Sequence, residues 1–154
     1  MKLLTSLVFV ATVFVSGCAK HDHEKTSGGG HAHTAPHGGT LVELGEHAYN
    51  VELVRDAEAG KLVAYVLDGH AENFIRIAAP SIEVVAYAGG QRRVLTLAAT
   101  ANVATGETVG STSQFEAQAD WLKTIGEFNG EIGAFDIRGT KFGPAAFNLK
   151  KGAK

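Results

Sequence analysis

The sequence predicts an all-β fold: an antiparallel β-sandwich (Ig-like or barrel-like) of about eight strands with one short helix, preceded by a disordered His/Gly-rich tether. Three observations carry that expectation. From about Thr40, short stretches rich in Val, Ile, Leu, Tyr and Phe repeat with a period of two. Turn residues separate them at spacings of roughly ten residues, the rhythm of sandwiches and barrels. Only residues 119–125 read as helical.

Residues 1–17 read as a lipoprotein signal peptide. Lys2 is followed by an uncharged, mostly apolar run of 13 residues, 3–15. At about 1.5 Å per residue the run reaches ~20 Å, short of a ~30 Å bilayer core. It is therefore a signal-peptide apolar segment and not a span. The run ends in Val15-Ser16-Gly17-Cys18, which resembles the lipobox of bacterial lipoproteins. That resemblance implies cleavage before Cys18 and acylation of its thiol, anchoring the chain to a membrane without crossing it. Ala19 after the cysteine resembles cargo sent to the outer membrane, facing the periplasm. After cleavage 13 basic residues face 16 acidic ones, a formal −3, which argues against nucleic acid as a partner. Cys18 is the single cysteine, so the domain has neither a disulfide nor a cysteine nucleophile.

Residues 18–39 form the tether. Its stretch 21–39, HDHEKTSGGGHAHTAPHGG, holds five of the seven histidines: His21, His23, His31, His33 and His37. In an extended chain His21 and His23 point to one side, as do His31 and His33. Each pair can close on one ion, with Asp22, Glu24 or His37 filling further positions. The Gly28-Gly29-Gly30 link is soft enough to bring both pairs to one metal. Imidazole is largely neutral at pH 7 and suits Zn, Ni, Co or Cu(II). Mature residues 18–154 contain no methionine and no free thiol, which argues against a copper(I) site. The alternative is compositional: a His-rich polar stretch that serves only as a spacer.

Residues 40–150 form the domain. Tyr49, Val51 and Leu53 share one strand face and Asn50 and Glu52 the other. Residues 57–60 turn the chain into 61–68, apolar on both faces as a central strand would be. Asp68-Gly69 marks the next turn. Strands at 82–87 and 93–98 flank a hairpin turn at 88–91. Residues 113–118, 130–138 and 141–148 complete the set, with Gly139-Thr140 joining the last two. In the helical stretch, Asp120 is the expected cap, Trp121, Leu122 and Ile125 face the core, and Gly126 stops it. Trp121 and the phenylalanines read as core. Residues 151–154 are a basic tail.

No nucleophile elbow, phosphate loop or dinucleotide fingerprint is present, so the protein reads as a non-enzyme. His31-Ala32-His33 imitates the metal motif of cupin barrels. It sits between Gly-Gly-Gly and Ala-Pro, however, and the next carboxylate, Glu43, is ten residues on. Glu43 and Glu46 read as rim charges. His47 opens the first long strand and His70 follows the Asp68-Gly69 turn; if the strand ends meet, His37, His47 and His70 form a fixed three-histidine site.

HGGTLVELG (37–45) followed by YNVELV (49–54) resembles a segment of the periplasmic adaptor subunits of heavy-metal efflux systems. It is also similar to small bacterial envelope lipoproteins with the same opening, the Leu67–Gly69 turn and a late Ile137–Gly139 strand. The resemblance covers about 35 residues and implies metal handling, with His37 as the one ligand it carries over. The chain lacks an adaptor's helical hairpin and lipoyl-like parts. The expectation is a lipid-anchored envelope protein that binds divalent transition metal, with an efflux protein as a possible partner. The alternative is a β-sandwich interaction module on a spacer.

Overall fold

The computed structural model describes residues 33–150. The signal peptide, Cys18, His21, His23, His31 and the basic tail lie outside the described residues. Among the described residues ten strands form: β1 (Thr40–Leu44), β2 (Tyr49–Asp56), β3 (Lys61–Asp68), β4 (Ser81–Ala88), β5 (Gln91–Ala99), β6 (Gln114–Gln118), β7 (Phe128–Ile132), β8 (Phe135–Ile137), β9 (Thr140–Phe142) and β10 (Ala145–Leu149). Eight of them make one antiparallel sheet in the order β1-β2-β3-β6-β5-β4-β7-β10, and β8 pairs with β9. Edge strands β1 and β10 approach each other, nearly closing the sheet into a barrel. The all-β expectation holds, in its barrel-like form.

Alternation sets the two faces. The pairing register aligns Val42, Val51 and Val66 on the inner face, and Leu53, Ala64 and Phe115 beside them. All six are buried and belong to one core with Ile82, Val84, Leu97, Ile132 and Phe147. The β4–β5 hairpin turns through Gly89 and Gly90 at φ 60° and 73°, the pair of positive values a two-residue I′ turn requires. Gly130 faces inward where the Phe147 ring lies, with Val85 O only 2.6 Å from where a Cβ would stand.

Three expected elements differ. The single strand expected at 130–138 is β7 and β8, and that at 141–148 is β9 and β10. The inward residues change phase between them: Phe128 and Ile132 are buried before the break, Phe135 and Ile137 after it. Gly143-Pro144 divides the second pair, because proline cannot donate to a ladder. The helix is a 3-10 turn, Asp120–Lys123, capped by Ala119 with no side-chain bond. Asp120 instead accepts from Lys123 Nζ at 2.8 Å, and the turn ends at Thr124, ahead of Gly126. Leu122 is buried, and Trp121 and Ile125 pack partly buried against the core.

The β5–β6 connection holds a 3-10 turn, Val103–Thr105, and closes on a buried glutamate. Glu107 Oε1 accepts from Ser113 N–H at 2.9 Å and Ser113 Oγ–H at 2.7 Å, and Oε2 accepts from Thr105 Oγ1 at 2.9 Å. Arg76 Nε stands 3.7 Å away. Burial pushes the Glu107 carboxyl up, but the Ser113 and Thr105 bonds and the Arg76 charge outweigh it and hold it below the usual carboxylate range. A lowered carboxylate contributes stability that is complete above its unfolded-state value and is lost as pH falls through its folded-state value. Glu107→Gln should cost about 1–3 kcal/mol at neutral pH. In urea unfolding, its deficit relative to wild type should shrink as pH falls below about 4.5. A deficit that stays constant with pH would contradict this account of the loop.

Candidate functional site

Outward positions of β2 are Asn50, Glu52 and Val54, and two of them are polar yet buried: Asn50 and Glu52 are 4% and 0% exposed. The register puts Leu41, Glu52, Tyr65 and Gln114 in one row on the outer face of β1, β2, β3 and β6. What covers Glu52 is the peptide ahead of β1. Pro36 and His37 form a turn in which Gly38 N–H bonds Ala35 O at 3.0 Å, with Gly38 at φ 71°. Gly39 then crosses β2 so closely that a Cβ would stand 2.5 Å from Leu53 O and 2.9 Å from Val54 Cγ2. The two glycines of the H-G-G motif thus have separate jobs, a left-handed turn and a close approach.

This path delivers three donors to one carboxylate. Glu52 Oε1 accepts from His37 N–H at 2.8 Å and Gly39 N–H at 2.9 Å. Oε2 lies 2.8 Å from His37 Nδ1. Against an ionised Glu52, which can only accept, Nδ1 is the donor, and the neutral ring of that tautomer has its lone pair on Nε2, across the ring. The imidazole stacks on Tyr65 at 4.0 Å and 18° and meets Phe74 at 5.6 Å. Its side chain remains 38% exposed. Burial pushes the Tyr65 phenol up, and the Glu52 and Glu116 carboxylates push it further. Phe74 itself is 46% exposed, so this phenylalanine forms a wall of the site and not core.

The neighbouring loop is held from both sides. Asn50 Nδ2 donates to Asp68 O at 3.1 Å and Gly69 O at 2.9 Å. Asp68 Oδ1 accepts from Glu72 N–H at 2.9 Å and Oδ2 from Asn73 Nδ2 at 2.6 Å. Gly69 is packed against His47 O and the space for a Cβ is taken. His70 extends from this loop, exposed, with its ring centre 5.6 Å from that of His33 at 71°.

His47 lies in the β1–β2 turn at φ 68° and not in the strand itself. Its N–H bonds Glu43 Oε1 at 2.9 Å and its Nδ1 lies 3.1 Å from Glu43 Oε2, both side chains exposed. His37, His47 and His70 therefore each face a different partner: Glu52, Glu43 and His33. Among the described residues no group of three His, Cys, Asp or Glu side chains stands where it could hold a metal ion. The three-histidine convergence expected from the sequence is not formed there. Residues 33–39, expected as tether, lie on the barrel.

Beside the site, an open groove of about 1080 Å³ runs along the seam between β1 and β10, bordered by His37, Leu41, Val54, Phe147 and Leu149. Sequence reasoning missed Glu52, Tyr65 and Phe74. The one readable signal was a glutamate in mid-strand between Val51 and Leu53. No family model, no curated protein and no solved structure matches this chain.

Glu52→Gln keeps the shape and removes the charge-assisted acceptor, so it should destabilise the fold by about 1.5–3 kcal/mol. Long-range ¹H–¹⁵N NMR should find His37 protonated at Nδ1 in wild type and mixed in Glu52→Gln. Equal tautomers and equal stability would contradict the assigned geometry.

Proposed function

We propose that this is a lipid-anchored cell-envelope protein that binds a divalent transition metal through its His-rich N-terminal segment, with the barrel fixing the end of that segment. The observation that supports it best is the Glu52–His37 pair. Metal-bound histidines nearly always donate their second ring N–H to a carboxylate or carbonyl, which fixes the tautomer and raises ligand basicity. Glu52 occupies that position and leaves the Nε2 lone pair of a partly exposed ring for an ion. Phosphate or nucleic acid would call for cationic groups instead. Here the partners are a carboxylate and two aromatic rings.

The remaining ligands in this reading are His21, His23, His31 and His33, with His47 and His70 as further candidates. The ion is Zn, Ni, Co or Cu(II), since nitrogen donors are present in number and the mature chain lacks Met and a free thiol. Anchoring at Cys18, in the outer membrane facing the periplasm, follows from the lipobox resemblance. The likeness of 37–54 to efflux adaptors adds a role accessory to heavy-metal efflux or homeostasis. In this reading the protein binds and does not catalyse. A second reading has one observation in its favour: the groove between β1 and β10 would suit a protein partner, with the His-rich segment a spacer.

Calorimetry with Zn²⁺ on the acylated protein in detergent tests the two. The acylated form matters, because a free amine at Ala19 would build its own copper and nickel site with His21. Zn²⁺ should bind at about micromolar Kd, roughly 8 kcal/mol. Replacing His21, His23 and His31 together by alanine should weaken it at least tenfold. Absence of binding by wild type would leave the spacer reading.

A further inference from the structure

We infer that His33 and His70 are the two protein ligands of a divalent metal half-site, one from the end of the His-rich segment and one from the β3–β4 loop. The inference rests on the metal-binding reading above but places a specific pair in it, across elements that the sequence keeps 37 positions apart. Two imidazoles bound to one ion at the usual metal–nitrogen distance of about 2.0–2.1 Å and a tetrahedral angle have ring centres about 5 Å apart. The His33 and His70 centres are 5.6 Å apart with the planes at 71°. That separation is within about half an ångström of the one a shared ion requires.

The backbone that carries His70 is constrained, and that of His33 leads into a fixed residue. His70 follows Gly69, which Asn50 and the His47 carbonyl pin in place, and precedes Ala71, buried at φ 58°. Asp68 fastens the loop from the other side through Glu72 N–H and the Asn73 amide. His33 lies four residues before His37, whose backbone and ring are both bound to Glu52. A pair already held together loses less conformational freedom on binding than two flexible histidines.

The chemistry of the pair selects its ion. Two neutral nitrogen donors suit Zn²⁺, Ni²⁺, Co²⁺ or Cu²⁺ and disfavour Ca²⁺ and Mg²⁺, which take oxygen. The exposed Glu72 on the same loop adds negative charge nearby. With only two protein ligands among the described residues, the other positions on the ion go to water or a further donor. That makes an exchangeable site, suited to passing an ion between the upstream histidines and the domain.

Zn²⁺ calorimetry on the acylated protein tests it with His33→Ala, His70→Ala and the double variant, with Arg92→Ala, an exposed β5 residue, as control. Each single variant should weaken Zn²⁺ binding at least tenfold. The double should lose little more than either single, since two ligands of one ion are not additive. Arg92→Ala should bind as wild type. Wild-type affinity in both His33→Ala and His70→Ala would overturn the half-site, as would absence of Zn²⁺ binding by wild type. The triple variant of His21, His23 and His31 separates the two claims. If it keeps full affinity while His70→Ala loses it, the half-site stands and the role of the upstream histidines falls. The reverse pattern removes the half-site alone.

Discussion

A buried carboxylate cannot stay ionised on a protein face unless something donates to it, and Glu52 is such a carboxylate. Stranding it would cost several kcal/mol. The barrel strands around it use their N–H groups in the ladder, so the donors come from residues ahead of β1: two backbone N–H groups and one imidazole. This obligation draws the peptide 35–39 across β2, requires Gly39 where no Cβ fits, and seats His37 on Tyr65. A buried charge of this kind specifies an arrangement more than it stabilises one. The arrangement it specifies is a single orientation for the His37 ring.

The second buried glutamate shows why burial by itself does not mark a site. Glu107 is also buried, but its partners are Ser113, Thr105 and Arg76, all within or beside its own connection. Every donor there closes the loop on itself. Glu52 differs because one of its partners is a ring with a second nitrogen. The loop bearing His70 follows the same logic as Glu107, with Asn50 and Asp68 satisfying its backbone. The difference is that this loop ends in an exposed imidazole facing another.

Much of the barrel is legible in the alternation of β2 through β6. The Gly89-Gly90 turn is marked by residues that tolerate left-handed backbone, whereas beyond Asp68-Gly69 the left-handed residue is Ala71 and Gly69 serves a close approach to His47. The two broken strands were missed, although the apolar residues shift from even to odd numbers after Ile132 and Pro144 interrupts the second stretch. Asp120 misleads because an acid before a helical stretch usually caps it, whereas here Lys123 claims its side chain. The site is another matter. Period two marks Glu52 as outward and polar, hence solvated, and nothing local says that a peptide 13 to 15 residues earlier covers it. For the same reason residues 33–39 read as tether: their structure comes from distant partners and not from their own pattern.

The central claim is that imidazoles of this chain hold a transition-metal ion. X-ray absorption at the zinc edge of the acylated, Zn²⁺-loaded protein tests it most directly. The account predicts a first shell at about 2.0–2.1 Å with at least two imidazole scatterers and no sulfur. A shell of oxygen alone, without the outer scattering of imidazole rings, would contradict it.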